Sequence, residues 1–342
     1  MAQESGSRKP VRLTDVAREA GVSVQTASHV MAGNMTVRLP ESTRLRVFAA
    51  AEKVGYRPNR LAQAMKRGKT QLVSVWMPLD RPTPSYMRQL HSINTLVRAD
   101  GYELMITGLD APMAYSAVGK TPYVWPVDGL IAIDAGKAVS AFRADQRNDS
   151  IPVVVLGLEE FVNSDSVAWD VAGASKQATE KLLEMGCRNI VHVTLDWILR
   201  DYPREQRRRG YTEAMTEAGL EPSFVSVGNE SSDAAETAVA AYLESNPQPD
   251  AFSAFTDSLA IGASRAILAR GRSIPGDCRI VGYGDYSEAR DFRVPISTLR
   301  IPIDAVMSQA WTWLKERMTN PDLPGRLAVL PMEWIEREST GP

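Results

Sequence analysis

The sequence predicts an α/β protein in which a small all-helical head precedes a larger body of doubly wound parallel sheets. Three observations predict it. The stretch 13–30, LTDVAREAGVSVQTASHV, has the form helix, glycine turn, helix. Residues 1–70 carry 13 Lys and Arg against 5 Asp and Glu, a balance of +8, whereas the remainder carries 26 against 36, a balance of −10. From 71 onward, short apolar runs alternate with helical patterns, which is how parallel sheets covered by helices are written in sequence. At 342 residues, 44% hydrophobic and 23% charged, the chain has the composition of a soluble globular protein with room for two or three domains.

In the head, Val16, Ala17 and Ala20 form the apolar stripe of a first helix over 13–20, with Arg12 or Thr14 near its start. Gly21 suits the left-handed cap. Val22 is an apolar plug in the turn, and Ser23 can cap the next helix by accepting a backbone N–H. That helix, 24–30, carries no acid and presents Gln25, Thr26, Ser28 and His29. Two such helices form the DNA-binding helix-turn-helix, whose second helix enters the major groove; a surface helical hairpin is the bland alternative. After a loop over 31–39, a third helix over 41–54 offers Val47, Phe48, Ala51 and Val54 to close a three-helix mini-core, and Gly55 ends it. Pro58 blocks continuation. The next segment, NRLAQAMKRG over 59–68, is a basic, Ala-rich helix too short to be stable alone. It calls for a partner, most simply its own copy in a dimer bound to DNA.

In the body, strands are expected over 71–77, 103–107, 127–133, 151–156, 189–194, 224–227, 251–255 and 279–283. Helices are expected over 86–100, 175–185, 206–218, 232–245 and 258–269. The stretch 71–342 exceeds one such sheet, so two similar lobes are expected. Ligands in open α/β sheets bind beyond the carboxyl ends of strands. That rule nominates Asp80, Gly157, residues 194–197, Thr256, Asp257, Gly284 and Asp285.

Several classes are excluded. No apolar run is long enough to span a membrane, and the opening MAQESGSRKP has no signal-peptide core, so a cytoplasmic protein is expected. The two cysteines, Cys187 and Cys278, make no disulfide framework, and His29, His91 and His192 make no metal pattern. No phosphate loop or nucleophile elbow is present. Neither a catalytic residue nor a cofactor or metal is therefore expected. A transport-type binding protein would lack the basic head.

The residues LTDVAREAGVSVQTAS, VGYRPN, RLAQAM, VDGLIAI, IPVVVLG, LLEMGCRNIVHVT, RRRGYTEAMTEAGLEP, FTDSLAIGASRAILARGRSIPGDCRIVGYGD and WIERESTGP together resemble the lactose-repressor (LacI/GalR) family of bacterial transcription factors, over essentially the whole chain. The resemblance implies a helix-turn-helix domain over 1–58, a hinge helix and linker over 59–70, and a two-lobed periplasmic-binding-protein-like core over 71–342. Lobe one would be about 71–168 and 300–331, and lobe two about 169–299 and 332–342. It implies a regulator, a repressor by preference, that binds double-stranded operator DNA as a homodimer under control of a small-molecule effector.

The resemblance also implies residue roles. Val24, Gln25 and His29 fall at base-reading positions, with His29 where the family usually has Arg. Ser23, Thr26, Ser28, Arg38, Thr43, Tyr56 and Asn59 match positions on or near the DNA backbone, with local capping an alternative for Ser28 and Thr43. Ala32 replaces a usual phosphate-contacting Asn. Arg60, Ala62 and Met65 would meet the minor groove, Met65 taking the place of a wedging Leu. The effector cleft would hold Asp80, Tyr86, Asp170, Arg207, Thr256, Asp257 and Asp285. Gly157 and Gly284 stand where acidic residues are common, and Glu230 where an aromatic often stacks on a sugar. The polar ring that a sugar needs is thus depleted, which points to a non-sugar effector or a degenerate cleft. Tyr123, Trp125 and Trp169 could line it instead. A constitutive dimeric DNA binder is the alternative function.

Overall fold

The computed structural model describes residues 11–31, 37–57, 69–79, 83–109, 126–157, 164–246 and 248–341. Asn59, Arg60, Ala62, Met65, Asp80, Ala32, Tyr123 and Trp125 lie outside the described residues, and so does the whole predicted hinge helix. The chain falls into two compact units, Met1–Gln71 and Leu72–Pro342.

The first unit contains α1 (Leu13–Ala20), α2 (Val24–Met31) and α3 (Glu41–Val54). Asp15 accepts the Arg12 amide at 2.9 Å and so caps α1. Gly21 takes φ 61° at its end. Ser23 Oγ accepts the Thr26 amide at 3.0 Å, the capping role expected of it. Val16, Ala17, Ala20, Ala27, Val30, Val47, Ala50 and Ala51 form the mini-core, with Val22 and Val54 packed on its rim. Phe48 corrects the expectation. It is 51% exposed, and Ala50 takes the inward position instead. On a helix, positions 47, 50, 51 and 54 share one stripe at spacings of three and four, which leaves 48 on the flank.

The second unit holds two sheets of six strands. In sheet one, β1 (Leu72–Pro78) lies between β2 (Glu103–Leu109) and β3 (Gly129–Ile133). Beyond β3 come β4 (Val153–Leu156), β5 (Asp165–Trp169) and, last in sequence, β11 (Leu327–Leu330). Every neighbouring pair is parallel, with Val75 opposite both Ile106 and Ile131. In sheet two, the order is β12 (Glu333–Ile335), β10 (Ser297–Arg300), β9 (Arg279–Tyr283), β8 (Ala251–Ala254), β6 (Ile190–Leu195) and β7 (Ser223–Val227). Only β12 runs antiparallel to its neighbour. The chain passes between sheets after Trp169, Arg300 and Leu330. The helices are α4 (Pro84–Ala99), α5 (Gly136–Arg143), α6 (Val171–Glu184), α7 (Asp196–Asp201), α8 (Gln206–Glu217), α9 (Ser232–Ser245), α10 (Asp257–Ala269), α11 (Ser287–Arg290) and α12 (Ile303–Thr319).

Continuous burial makes β3, β4 and β6 apolar on both faces, as parallel strands between helices must be. The exception inside is His192 on β6. It is buried, stacked on Tyr211 with ring centroids 5.2 Å apart, and burial pushes its pKa down to about 4, so it is a neutral core residue. Eight elements have no counterpart in the periodicity: α5, β5, α7, α11, β10, α12, β11 and β12. Helix α6 also starts four residues earlier than expected, because the Asp170 carboxylate accepts the Gly173 amide at 2.8 Å and caps it.

Candidate nucleic-acid interface and effector cleft

Helix α2 owes its exposed face to a short apolar stripe. Only Ala27 and Val30 are buried, so Val24 and Gln25 project into solvent from its first turn. Ser28, His29 and Thr26 are half-buried. The Ser23 and Thr26 hydroxyls lie 2.9 Å apart, which fixes that turn. Arg38 is exposed just before α3, while Thr43 and Tyr56 are half-buried at its two ends. A helix N-terminus free of acids, with an amide side chain at its second position, suits the edge of a base pair in the major groove.

The candidate cleft residues lie near the carboxyl ends of strands in both sheets, where ligands of open α/β sheets bind. In lobe one, Asp134 follows β3 with φ 47°, a left-handed conformation that costs a non-glycine residue energy. Its Oδ2 accepts the Tyr86 hydroxyl from α4 at 3.1 Å. Its Oδ1 lies 2.0 Å from where a Cβ at Gly157 would stand. A side chain at 157 is therefore replaced, in space, by the Asp134 carboxylate. At the junction of the lobes, Trp169 Nε1 donates to the Tyr283 hydroxyl at 2.9 Å.

In lobe two, Arg207 lies in the first turn of α8. Its guanidinium carbon sits 4.1 Å from the Phe255 ring centroid and 4.0 Å from that of Tyr283. The cation thus lies against two aromatic rings, a favourable cation–π geometry. Its Nη1 pairs with Glu205 at 3.0 Å, the Arg207 side chain being 15% exposed and that of Glu205 6%. Glu205 also accepts the Arg208 amide at 2.9 Å and so caps α8. Arg207 Nε is buried with no hydrogen-bond partner.

Thr256 stands at the N-cap of α10, its hydroxyl buried and without a partner. Asp257 is fully buried; Oδ2 accepts the Tyr286 amide and Oδ1 the Thr298 hydroxyl, each at 2.6 Å. Burial pushes its carboxyl up to about 6, against the downward pull of those two hydrogen bonds. Gly284 has φ 122°, and a Cβ there would lie 2.5 Å from the Tyr286 ring. Asp285 is held by Arg300 at 2.7 Å and by Arg337. Asp170 is exposed at the start of α6.

Two family models match the chain: "Bacterial regulatory proteins, lacI family" over residues 12–59 and "Periplasmic binding protein-like domain" over 179–340. Catabolite control protein A of Priestia megaterium is 28% identical over 339 residues, covering 96% of this chain and 99% of that protein. The ribose operon repressor of Haemophilus influenzae is 28% identical over 333 residues, with 96% and 98% coverage. Among solved structures, the lac repressor dimer bound to operator and the anti-inducer ONPF superposes with a TM-score of 0.78 at 21% identity, covering 97% of this chain and 99% of that one. The chain thus joins a lacI-family helix-turn-helix domain to a periplasmic-binding-protein-like domain, and it is similar over nearly its whole length to LacI-family regulators. It is a DNA-binding transcriptional regulator and not an enzyme.

Within the periplasmic-binding-protein-like core, the structure places Tyr86, Asp134, Arg207, Thr256 and Asp257 at strand ends or helix starts. It gives Asp170 to a helix cap and Asp285 to an ion-pair network. Sequence reasoning missed Asp134, Glu205, Phe255, Tyr283 and Tyr286. The signal for Asp134 was present, since it follows an apolar strand immediately. The aromatics Phe255, Tyr283 and Tyr286 were not singled out, and all three are nearly inaccessible. Among the described residues no cluster of His, Cys, Asp or Glu is arranged to hold a metal, and no helix is long and apolar enough to cross a membrane.

The Asp257 carboxyl gives a pH-dependence. A carboxyl whose native pKa lies above its unfolded value makes the native state bind the extra proton. Stability from this group therefore falls as pH rises from about 3.8 to about 6. Carbon-detected NMR titration of this side chain should show a midpoint near 6, and Asp257→Asn should flatten the stability profile over that window. A midpoint at or below 3.8 would show that its two hydrogen bonds outweigh burial.

Proposed function

We propose that the chain acts in the cytoplasm as a homodimeric repressor that binds a pseudo-palindromic operator, with a small-molecule effector in the core cleft. The head over 1–58, the linker over 59–70 and the two-lobed core would then serve DNA reading, coupling and effector binding. The observation that carries this reading is the acid-free, Ser23-capped start of α2, with Val24 and Gln25 exposed on a head of balance +8. In a dimer, two such helices enter successive major grooves. The relatives support the same division of labour, since the lac repressor was solved on operator DNA and the regulator CelR with cellobiose. By linkage, effector and operator change each other's affinity by the same factor.

Operators selected from a random DNA pool, read by fluorescence anisotropy, test the DNA half. Affinity should fall steeply between 50 and 200 mM salt, by roughly a thousandfold if about six phosphates are neutralised. A flat salt dependence would overturn the proposal.

A specific observation favours a second reading, a constitutive dimeric DNA binder. The places that a side chain would occupy at 157 and 284 are filled by Asp134 and Tyr286, and the Arg207 guanidinium already lies against the rings of Phe255 and Tyr283. A thermal-shift screen over sugars, nucleosides, phosphorylated metabolites and aromatic or amine compounds separates the readings, because a ligand of the folded state must raise the melting temperature. Ligands that shift it support the effector-controlled regulator; a broad library without a shift favours the constitutive one.

A further inference from the structure

The two lobes are joined by side chains as well as by the three chain passages. Arg88, in the second turn of α4 in lobe one, donates from Nη1 to the carbonyl of Gly284 at 3.0 Å and to that of Asp285 at 3.2 Å. Those carbonyls belong to the turn leaving β9 in lobe two. Both residues are left-handed, at φ 122° and 55°. The non-glycine Asp285 holds this conformation only because its surroundings over-determine it. Its carboxylate is gripped by Arg300 and Arg337, and its amide donates to the Thr298 hydroxyl at 3.3 Å. The next amide, Tyr286, donates to Asp257, which also holds Thr298. The turn is thus continuous with the cleft groups of lobe two.

From its first turn, the same helix reaches the candidate cleft residues of lobe one. Tyr86, two residues before Arg88, donates to Asp134. A displacement of the 284–286 turn must either drag α4 or break a charge-assisted hydrogen bond, which is stronger than a neutral one. Arg88 is itself on an exposed face of α4, so the packing of that helix does not explain its placement.

We propose that Arg88 is a positioning residue: it latches the ligand-free core closed and couples the cleft turn of lobe two to α4 of lobe one. The role rests on reading the cleft as the effector site, but the latch is testable without any effector.

The test is amide hydrogen exchange on the full-length, ligand-free protein and on Arg88→Met and Arg88→Lys. In Arg88→Met, the amides of Gly284, Asp285 and Tyr286 and those at the start of α4 (86–90) should exchange about tenfold faster together. Arg88→Lys, which keeps a cationic donor, should restore most of the protection. A purely local helix contact would move the α4 amides alone and show no rescue by lysine, which would overturn the proposal; so would unchanged exchange in both segments. Arg88 is exposed, so neither substitution disturbs the buried core, and equal unfolding midpoints verify this. If no effector is ever found but the two segments still respond together, the latch stands and only the effector reading fails.

Discussion

Gln25→Ala should weaken binding to a selected operator by roughly 1–3 kcal/mol per half-site, the worth of one bidentate contact to a base pair. In a symmetric dimer both copies are lost, so the affinity should fall by about 10²-fold or more. Binding to non-specific DNA should barely change, because no charge is removed and the phosphate term is electrostatic. Thermal stability should also hold, since Gln25 is exposed and makes no contact with the mini-core. Anisotropy titrations against the operator and all its single-base variants check this. Discrimination should vanish at one base pair per half-site and persist elsewhere. A uniform loss across all variants would instead make Gln25 a backbone contact. His29 is a poorer probe, because it is half-buried and its replacement would mix packing with recognition.

How much of this was legible in the sequence follows from where local chemistry decides structure. Leu13–Ala20 and Glu41–Val54 were readable to the residue, because a left-handed glycine ends each helix, at φ 61° for Gly21 and 71° for Gly55. The central strands β1, β3, β4, β6, β8 and β9 were readable because burial on both faces demands unbroken apolar runs. Strand β5 was not. Its sequence, DSVAW, begins with a buried carboxylate, and only the distant Arg317 and Arg326 make that position tolerable. Edge strand β11 hid for a related reason: Leu327 and Val329 are exposed, so it lacks the signature of a central strand.

The cleft was half legible. The strand-end rule and the family likeness nominated Thr256, Asp257 and Arg207, but partners set by tertiary contact stayed hidden. Nothing local to Asp285 announces Arg300 and Arg337, 15 and 52 residues away in the chain. Gly157 and Gly284 were noticed as missing acids. Their cause is spatial, because Asp134 and Tyr286 occupy the volume a side chain would need.

The largest loss of stability should come from Asp165→Ala, at about 3–5 kcal/mol, the usual result of stranding charges by removing one buried partner. Asp165 is completely inaccessible. It accepts Arg317 Nε and Nη2 at 2.9 Å each, Arg326 Nε and Nη2 at 3.0 Å each, and the Arg326 amide at 3.1 Å. One carboxylate thus joins the first residue of β5, the last turns of α12 and the segment leading into β11. Arg317 keeps carbonyl partners at Pro321, Leu323 and Pro324, so its removal should cost less than removal of the acid that serves two cations. Urea unfolding of the core, with Arg317→Met alongside, checks that order, and a smaller effect for Asp165→Ala would contradict it. The pH dependence carries the opposite sign to that of Asp257. Burial alone would raise the Asp165 carboxyl, but hydrogen bonds from Arg317 and then Arg326 outweigh it and hold the pKa below the ordinary 3.8. Its contribution is therefore full above that value and is lost as the pH falls through the lower native pKa. The advantage of the native chain over Asp165→Ala should stay constant from neutral pH to about 4 and shrink only below it.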